Sequence, residues 1–336
     1  MRRLLGRHGS RALVLTSRES LAWLLCGARV TVPTNGDPVV SVVVSADDVT
    51  LHVFTNERDR MLAEELVGLP FSSVVEHPWF QPLPGIGEGL EGALAESAVS
   101  AELRALRAPL LPSEVTRYRS LGAEVAAAVT RIARSARSED TERTIAAELA
   151  REVVAMGAEP VVTLVAGQSR LELRHPLPTS APLGTRSMLV LGARRGGLIV
   201  NLTRWIGEER GSGELAARLF EVEADAFEAT RPGRPLSDVL ADVVRSYATQ
   251  GFNSAEWLRH HQGGPTGYAG RDPRATPAAQ DVVQGGQAFA WNPSAPRGKV
   301  EDTVVITGGR PDVLTCDPEW PTVSVRGVAR PLALLS

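Results

Sequence analysis

The apolar positions of this chain follow two different periods, and the periods sort it into segments. "RALVLT" and "VVSVVVSADDVTLHVFT" are β-branched and apolar, broken by Asp, and predict strands near the start. "SLAWLLCG" lies between them and ends at Gly27. "NERDRMLAEELVGL" has helical spacing. "PWFQPLPGIGEG", rich in Pro and Gly, predicts a loop. From "GALAESAVSAELRALRAPLL" onward the texture is helical. "PSEVTRYRSLGAEVAAAVTRIARSA" predicts a helix with Ser113 as its N-cap. "SEDTERTIAAELAREVVAMGA" predicts another, with Ser138 and Asp140 ahead of Glu142 as in a capping box. The change of texture puts a domain boundary near residue 105 to 110.

The later part alternates. "EPVVTLVAG" predicts a strand, and "SMLVLGARRGGLIVNLTRWIG" a hairpin turning at Ala193 to Gly197. "ELAARLFEVEADAFEAT" and "LSDVLADVVRSYATQG" are helical, and "GQAFAWNPS" and "VEDTVVITGG" are strands again. Paired helices followed by antiparallel strands indicate an α+β layer architecture. The whole reads as an α/β domain followed by an α+β one.

Composition narrows the function. With 43% hydrophobic and 22% charged residues over 336 positions, the chain is an ordinary globular protein. A formal net charge of −3 gives no reason to expect nucleic acid or a membrane surface as partner. Lys299 is the only lysine, which fits a general Arg bias. Cys26 and Cys316 are far apart, form no metal-ligand spacing and suit a reducing cytoplasm. No apolar run reaches the ~20 residues of a membrane span. The start "MRRLLGRHGSRALVL" lacks a cleavage site and is not expected to be a signal peptide.

The order of "RAPLLPSEVTRYRSLG", "RPGRPLSDVLADVVRSYATQGF" and "VEDTVVITGGRPDVLT" resembles the creatinase/prolidase/methionine-aminopeptidase superfamily, with "SLAWLLCG" similar to its N-terminal strand-turn segment. The resemblance implies a creatinase-type N-terminal domain over 1–107 and a pita-bread domain over 108–336. Peptidases of that group hold two metal ions with two Asp, one His and two Glu. "VLGARRGGLIVNLTR" keeps the spacing of the Asp pair but has Val190 and Asn201 there, followed by Thr203 and Arg204. "GGPTGYAGRD" places Gly264 and Arg271 where the family has histidines, and "WNPS" gives Asn292 for the first glutamate. Only Glu301 matches a metal ligand. One carboxylate cannot balance two dications, so no metal or other cofactor is expected.

"AGQSRLELRHPLPT" resembles the segment that carries the substrate-side histidine, which falls on His175. In creatinase, a metal-free member, the matching histidine is the acid/base. Imidazole suits that task because its pKa lies near neutrality. The resemblance therefore implies a metal-independent hydrolase or lyase of a small C–N compound (amide, guanidino or dipeptide-like). Its expected catalytic residues are His175, His261 and Glu301, and its expected substrate contacts Arg204, Tyr268, Arg271, Asp272 and Asn292. Arg271 or Arg204 would pair with a substrate carboxylate. If "HHQGG" is a strand, His260 and His261 point to opposite faces and at most one meets the pocket. The Gly-rich run lacks the strand-to-helix step of a phosphate loop. The alternatives are a non-catalytic binding or scaffold protein and an Xaa-Pro-type aminopeptidase with an unusual metal site. A small-molecule substrate and a homodimer are the partners expected from the resemblance.

Overall fold

The computed structural model describes residues 1–86 and 90–335, so the end of the expected "PGIGEG" loop lies outside the described residues. The chain divides into two compact units, Met1–Arg107 and Ala108–Ser336.

The first unit is a mixed five-stranded sheet with short helices. Its strands are β1 (Ala12–Leu15), β2 (Val40–Ser45), β3 (Val49–Phe54), β4 (Ser73–His77) and β5 (Ala93–Ala95), in the order β4-β3-β2-β1-β5. Its helices are α1 (Arg2–His8), α2 (Arg18–Leu24), α3 (Arg58–Arg60, continued as a π turn) and α4 (Ser100–Arg107). Leu13, Leu15, Val42, Leu51 and Val53 of the strands and Leu21 of α2 are wholly buried in one core. "SLAWLLCG" is thus part of a helix, not a strand-turn segment. Ser17 caps it, accepting from the Ser20 N–H at 3.2 Å, and Leu21 and Leu25 bury one turn apart. Ala93–Ala95, expected to be helical, instead pairs in parallel with β1.

The second unit begins with α5 (Pro112–Ser135) and α6 (Glu142–Ala155). Pro112 occupies the first helical position of α5, and Glu114 accepts from the Leu111 N–H at 2.7 Å, so Ser113 lies inside the first turn and is not the cap. Thr141 caps α6, while Asp140 accepts from the Arg137 N–H. Next comes a three-stranded antiparallel sheet of β6 (Glu159–Ala166), β7 (Ser187–Arg195) and β8 (Leu198–Ile206). Its hairpin turns at Gly196 and Gly197, both at positive φ (53° and 78°), as a two-residue turn between twisted strands requires.

The helices α7 (Ser212–Ala229) and α8 (Leu236–Thr249) follow. They pack on a second sheet through Phe227, Val239, Val243, Phe289 and Trp291. That sheet comprises β9 (Gly263–Thr266), β10 (Ala288–Trp291), β13 (Val304–Thr307) and β14 (Arg310–Val313), in the order β14-β13-β10-β9. Two small hairpins complete the unit: β11 (Ser294–Ala295) with β12 (Gly298–Lys299), and β15 (Thr322–Val325) with β16 (Val328–Pro331). The two larger sheets are stitched together at β8, where the Thr203 N–H donates to the Glu301 carbonyl at 2.9 Å and the Asn201 N–H to Thr303 Oγ1 at 2.7 Å. No helix among the described residues is long and apolar enough to cross a membrane.

Candidate functional site

Where those sheets meet, the second unit encloses a cavity of about 470 Å³. Its polar lining comes from β8 (Asn201), the end of β10 (Asn292), β12 (Lys299), Glu301 and three loops bearing His175, His261, Arg271 and Arg274. Val162, Leu164 and Val190 form an apolar wall.

Each histidine is placed by a local device. The loop carrying His175 is anchored on Glu142 at the start of α6. This carboxylate is fully buried and accepts from the N–H groups of Gly167 and Thr179, both at 2.8 Å, and from the Arg170 guanidinium. His260 follows a 3₁₀ turn (Glu256–Arg259), and its carbonyl accepts from the Gln262 amide at 2.6 Å. Gln262 is itself held by the Tyr247 hydroxyl. The strand β9 begins only at Gly263, so His260 and His261 do not alternate across a sheet. Their rings stack instead, with centroids 4.5 Å apart and 25° between planes. Both rings lie beside His175, but of the two only His261 is among the cavity's lining residues, in keeping with the expectation that at most one meets the pocket. His260 Nε2 and His175 Nε2 are 3.1 Å apart, one donating and the other accepting.

Burial, reinforced by neighbouring cations, keeps these imidazoles neutral. Desolvation and then Lys299 push His260 down to about 2, while desolvation and then Arg271 push His261 down to about 4. His175 is lowered for the same reasons, desolvation first and Lys299 second. Burial alone would raise the Glu301 carboxyl, but Lys299 and Arg271 outweigh it and hold it at about 2. Lys299 Nζ is 2.7 Å from Glu301 Oε2, and Arg271 donates to Oε1 at 2.5 Å. Glu301 is thus an anchor for two cations, with both carboxylate oxygens engaged.

The structure brings together His175, His261, Arg271, Asn292 and Glu301, with Val190 and Asn201 beside them. Arg204, Tyr268, Asp272 and Gly264 are not among the cavity's lining residues. The Arg204 guanidinium is buried and committed to Asp302 at 2.9 Å and the Thr315 carbonyl at 2.6 Å; Asp302 in turn pairs with Arg330. A cation so engaged has nothing left for a substrate. The Tyr268 hydroxyl donates to Glu114 and accepts from Arg117, which ties it to α5. Asp272 turns into the loop after β9, its N–H on the Pro265 carbonyl at 2.8 Å. Sequence reasoning missed Lys299, Arg274 and the participation of His260. The available signal for the first was that Lys299 is the only lysine among 36 basic residues.

Comparison with known proteins matches residues 116–308 to the family described as metallopeptidase family M24. The chain belongs to that family. No curated protein sequence matches it significantly. Among solved structures it is similar to the prolidase from Pyrococcus horikoshii OT3 (TM-score 0.75, 19% identity, covering 94% of this chain and 96% of that one). It is also similar to the Xaa-Pro dipeptidase from Bacillus anthracis (0.74, 16%, 100% and 98%). A third likeness is to the N-terminal domain of the FACT complex subunit SPT16 from Cicer arietinum (0.65, 14%, 94% and 92%). The M24 pita-bread fold is therefore shared across the chain, and membership supports a peptidase-family hydrolase.

The residues at the expected ligand positions of this M24 chain do not fit a dinuclear metal centre. Val190 has no donor atom. At Gly264 (φ +133°) a Cβ would lie 2.9 Å from the Ala275 nitrogen and 3.0 Å from the Pro273 oxygen, so no side chain is accommodated there without moving backbone. Asn201 and Asn292 are neutral amides, and both Glu301 oxygens already face cations. The three histidines offer ring nitrogens within 4.8 Å of one another. These histidines stand outside the family's expected ligand positions, and three neutral imidazoles do not replace the carboxylates of a dinuclear centre.

Proposed function

We propose that this M24 protein hydrolyses a small C–N compound, an amide, guanidino or dipeptide-like molecule, without the dinuclear metal centre of its family. The observation that carries this reading is the pairing of an exposed His175, its pKa lowered by burial, with a cavity lined at the metal-ligand positions by Val190, Asn201, Asn292 and a cation-bound Glu301. The volume suits a ligand of small-molecule size. His175 takes a proton from water as the water oxygen bonds to the substrate carbon. The imidazolium then returns it to the departing nitrogen as the C–N bond breaks. His260 holds the His175 ring in place through the Nε2 contact. The protein acts as a homodimer in the cytoplasm in this reading, with no nucleic-acid or membrane partner, in keeping with its modest negative charge.

The test is a turnover screen of small amides, guanidines and dipeptides in the presence of a chelator. Turnover is expected to persist with chelator and to fall by about 10²–10⁴-fold in His175→Ala. Loss of all turnover on chelation would replace this reading with a metal-dependent one. Binding without turnover of any compound would leave a non-catalytic binding protein.

A further inference from the structure

Asn201 and Asn292 line the cavity at two of the expected ligand positions, and each is fixed there by hydrogen bonds of its backbone. The Asn201 N–H donates to Thr303 Oγ1 at 2.7 Å, and its carbonyl accepts from the same hydroxyl at 3.0 Å. The Asn292 N–H donates to the Gln262 carbonyl at 3.0 Å. Their side-chain amides, by contrast, have no hydrogen bond among the described residues. Asn201 Nδ2 and Asn292 Oδ1 are both buried, in residues only 7% and 2% exposed. Gly192, opposite Asn201 on β7, leaves room for its amide: a Cβ there would lie 3.1 Å from Asn201 Oδ1. Buried polar atoms of native proteins are ordinarily satisfied, and leaving one unpaired is costly. Two such atoms in one cavity point to a ligand that pairs them.

The charge of the lining decides what these amides can receive. Lys299, Arg271 and Arg274 are cationic, and Glu301 is the only carboxylate among the lining residues. Both Glu301 oxygens already face cations. A guanidinium, or the α-ammonium of a free dipeptide, would add charge to this excess with no anion left to pair it. A guanidinium also has N–H donors only. It could meet Asn292 Oδ1 but would set a donor against Asn201 Nδ2. A terminal carbamoyl group, –CO–NH2, is neutral, accepts at its oxygen and donates from two N–H bonds. It therefore answers Asn201 Nδ2 and Asn292 Oδ1, with one N–H left for His261 Nδ1, which is likewise buried without a partner. Turning either Asn amide by 180° exchanges its donor and acceptor, and the pair still offers both kinds.

We propose that Asn201 and Asn292, at two of the expected metal-ligand positions, form a neutral subsite that receives the terminal carbamoyl group of a small uncharged ligand. This rests on reading the cavity as a substrate site, and it narrows the substrate class to ureas and primary amides, against guanidino compounds and free dipeptides. The apolar wall of Val162, Leu164 and Val190 takes the remainder of the ligand.

The experiment measures, by calorimetry on the full chain, the binding of butylurea and pentanamide against two controls. Butylguanidinium keeps the shape and adds a charge; N,N-dimethylpentanamide keeps the carbonyl and lacks the N–H donors. The carbamoyl compounds are expected to bind at least about tenfold more tightly than either control. Asn201→Leu and Asn292→Leu are each expected to weaken carbamoyl binding by about tenfold. Both variants should keep or raise the melting temperature, because an amide without a partner in the free protein loses no bond when an apolar group of its size replaces it. If one variant does not fold by circular dichroism, the other and the ligand comparison on the parent chain carry the test. Equal binding of the dimethyl amide, tighter binding of the guanidinium, or no binding of any of the four compounds would overturn the proposal. So would undiminished carbamoyl binding in the variants, or a fall in melting temperature in both, which would assign the amides to the scaffold. Carbamoyl binding without turnover of any compound would remove the hydrolase reading and keep this one; turnover of guanidines or dipeptides without carbamoyl preference would do the reverse.

Discussion

His175 and His260 meet nitrogen to nitrogen at 3.1 Å although 85 residues separate them in the chain. One ring is exposed and the other 7% exposed. The pair therefore divides its work: the buried imidazole fixes the orientation of the exposed one. Replacing His260 with Asn should reduce turnover less than replacing His175 with Ala, and should do so through kcat with KM little changed. A His260→Asn loss as large as that of His175→Ala, measured on the same substrate, would show that His260 takes part in the proton transfer itself.

The depressed imidazole pKa values set an acid limit on stability. A histidine whose folded pKa lies below its unfolded value of 6.5 stabilises the fold fully above that value and loses its contribution as pH falls. The loss runs from 6.5 to about 4 for His261 and on to about 2 for His260. Glu301 acts in the same direction, because its folded pKa of about 2 lies below the usual 4.5. Melting temperature should therefore decline from below pH 7 downward, most steeply between 4.5 and about 4, where His260, His261 and Glu301 all contribute. His261→Gln should flatten the decline between 6.5 and 4. An unchanged slope in that variant would show that His261 does not titrate in this window.

Arg204 belongs to the scaffold. It joins Asp302, which also pairs with Arg330, and Arg330 in turn holds Glu223 at 2.9 Å, all of them buried. Arg204→Met should cost about 3 kcal/mol, since it leaves the buried Asp302 with less compensation. Ligand affinity of the folded fraction should stay unchanged. Chemical denaturation and calorimetry on the same preparation separate the two effects, and an affinity loss without destabilisation would return Arg204 to the substrate.

Restoring a histidine at Gly264 should not restore a metal centre. The backbone there sits at φ +133°, and the nearest obstacles are main-chain atoms. Gly264→His should lower stability by about 2 kcal/mol or more. Elemental analysis after dialysis should find no stoichiometric Mn, Co, Zn or Fe in either the variant or the parent protein. About two ions per chain in the parent would overturn the account of the ligand positions.

The sequence by itself determined the M24 fold and which residues stand at the expected ligand positions. Strand and helix periods, a hairpin turn within Ala193 to Gly197 and the spacing from Val190 to Asn201 are local patterns, and local patterns are legible in one dimension, although only the structure narrows the turn to Gly196–Gly197. The helix at "SLAWLLCG" was misjudged because a short apolar run reads equally as strand or helix until a cap such as Ser17 is seen in place. The charge state of the cavity was decided only in three dimensions. Glu301 looks like a free carboxylate in the sequence, but folding brings Arg271 and Lys299 onto its two oxygens. Arg204 looks like a free cation until Asp302 and Thr315 enclose it. Likewise the stacking of His260 on His261 depends on where β9 begins. A side chain's chemistry depends on what is packed against it, and those neighbours come from distant parts of the chain.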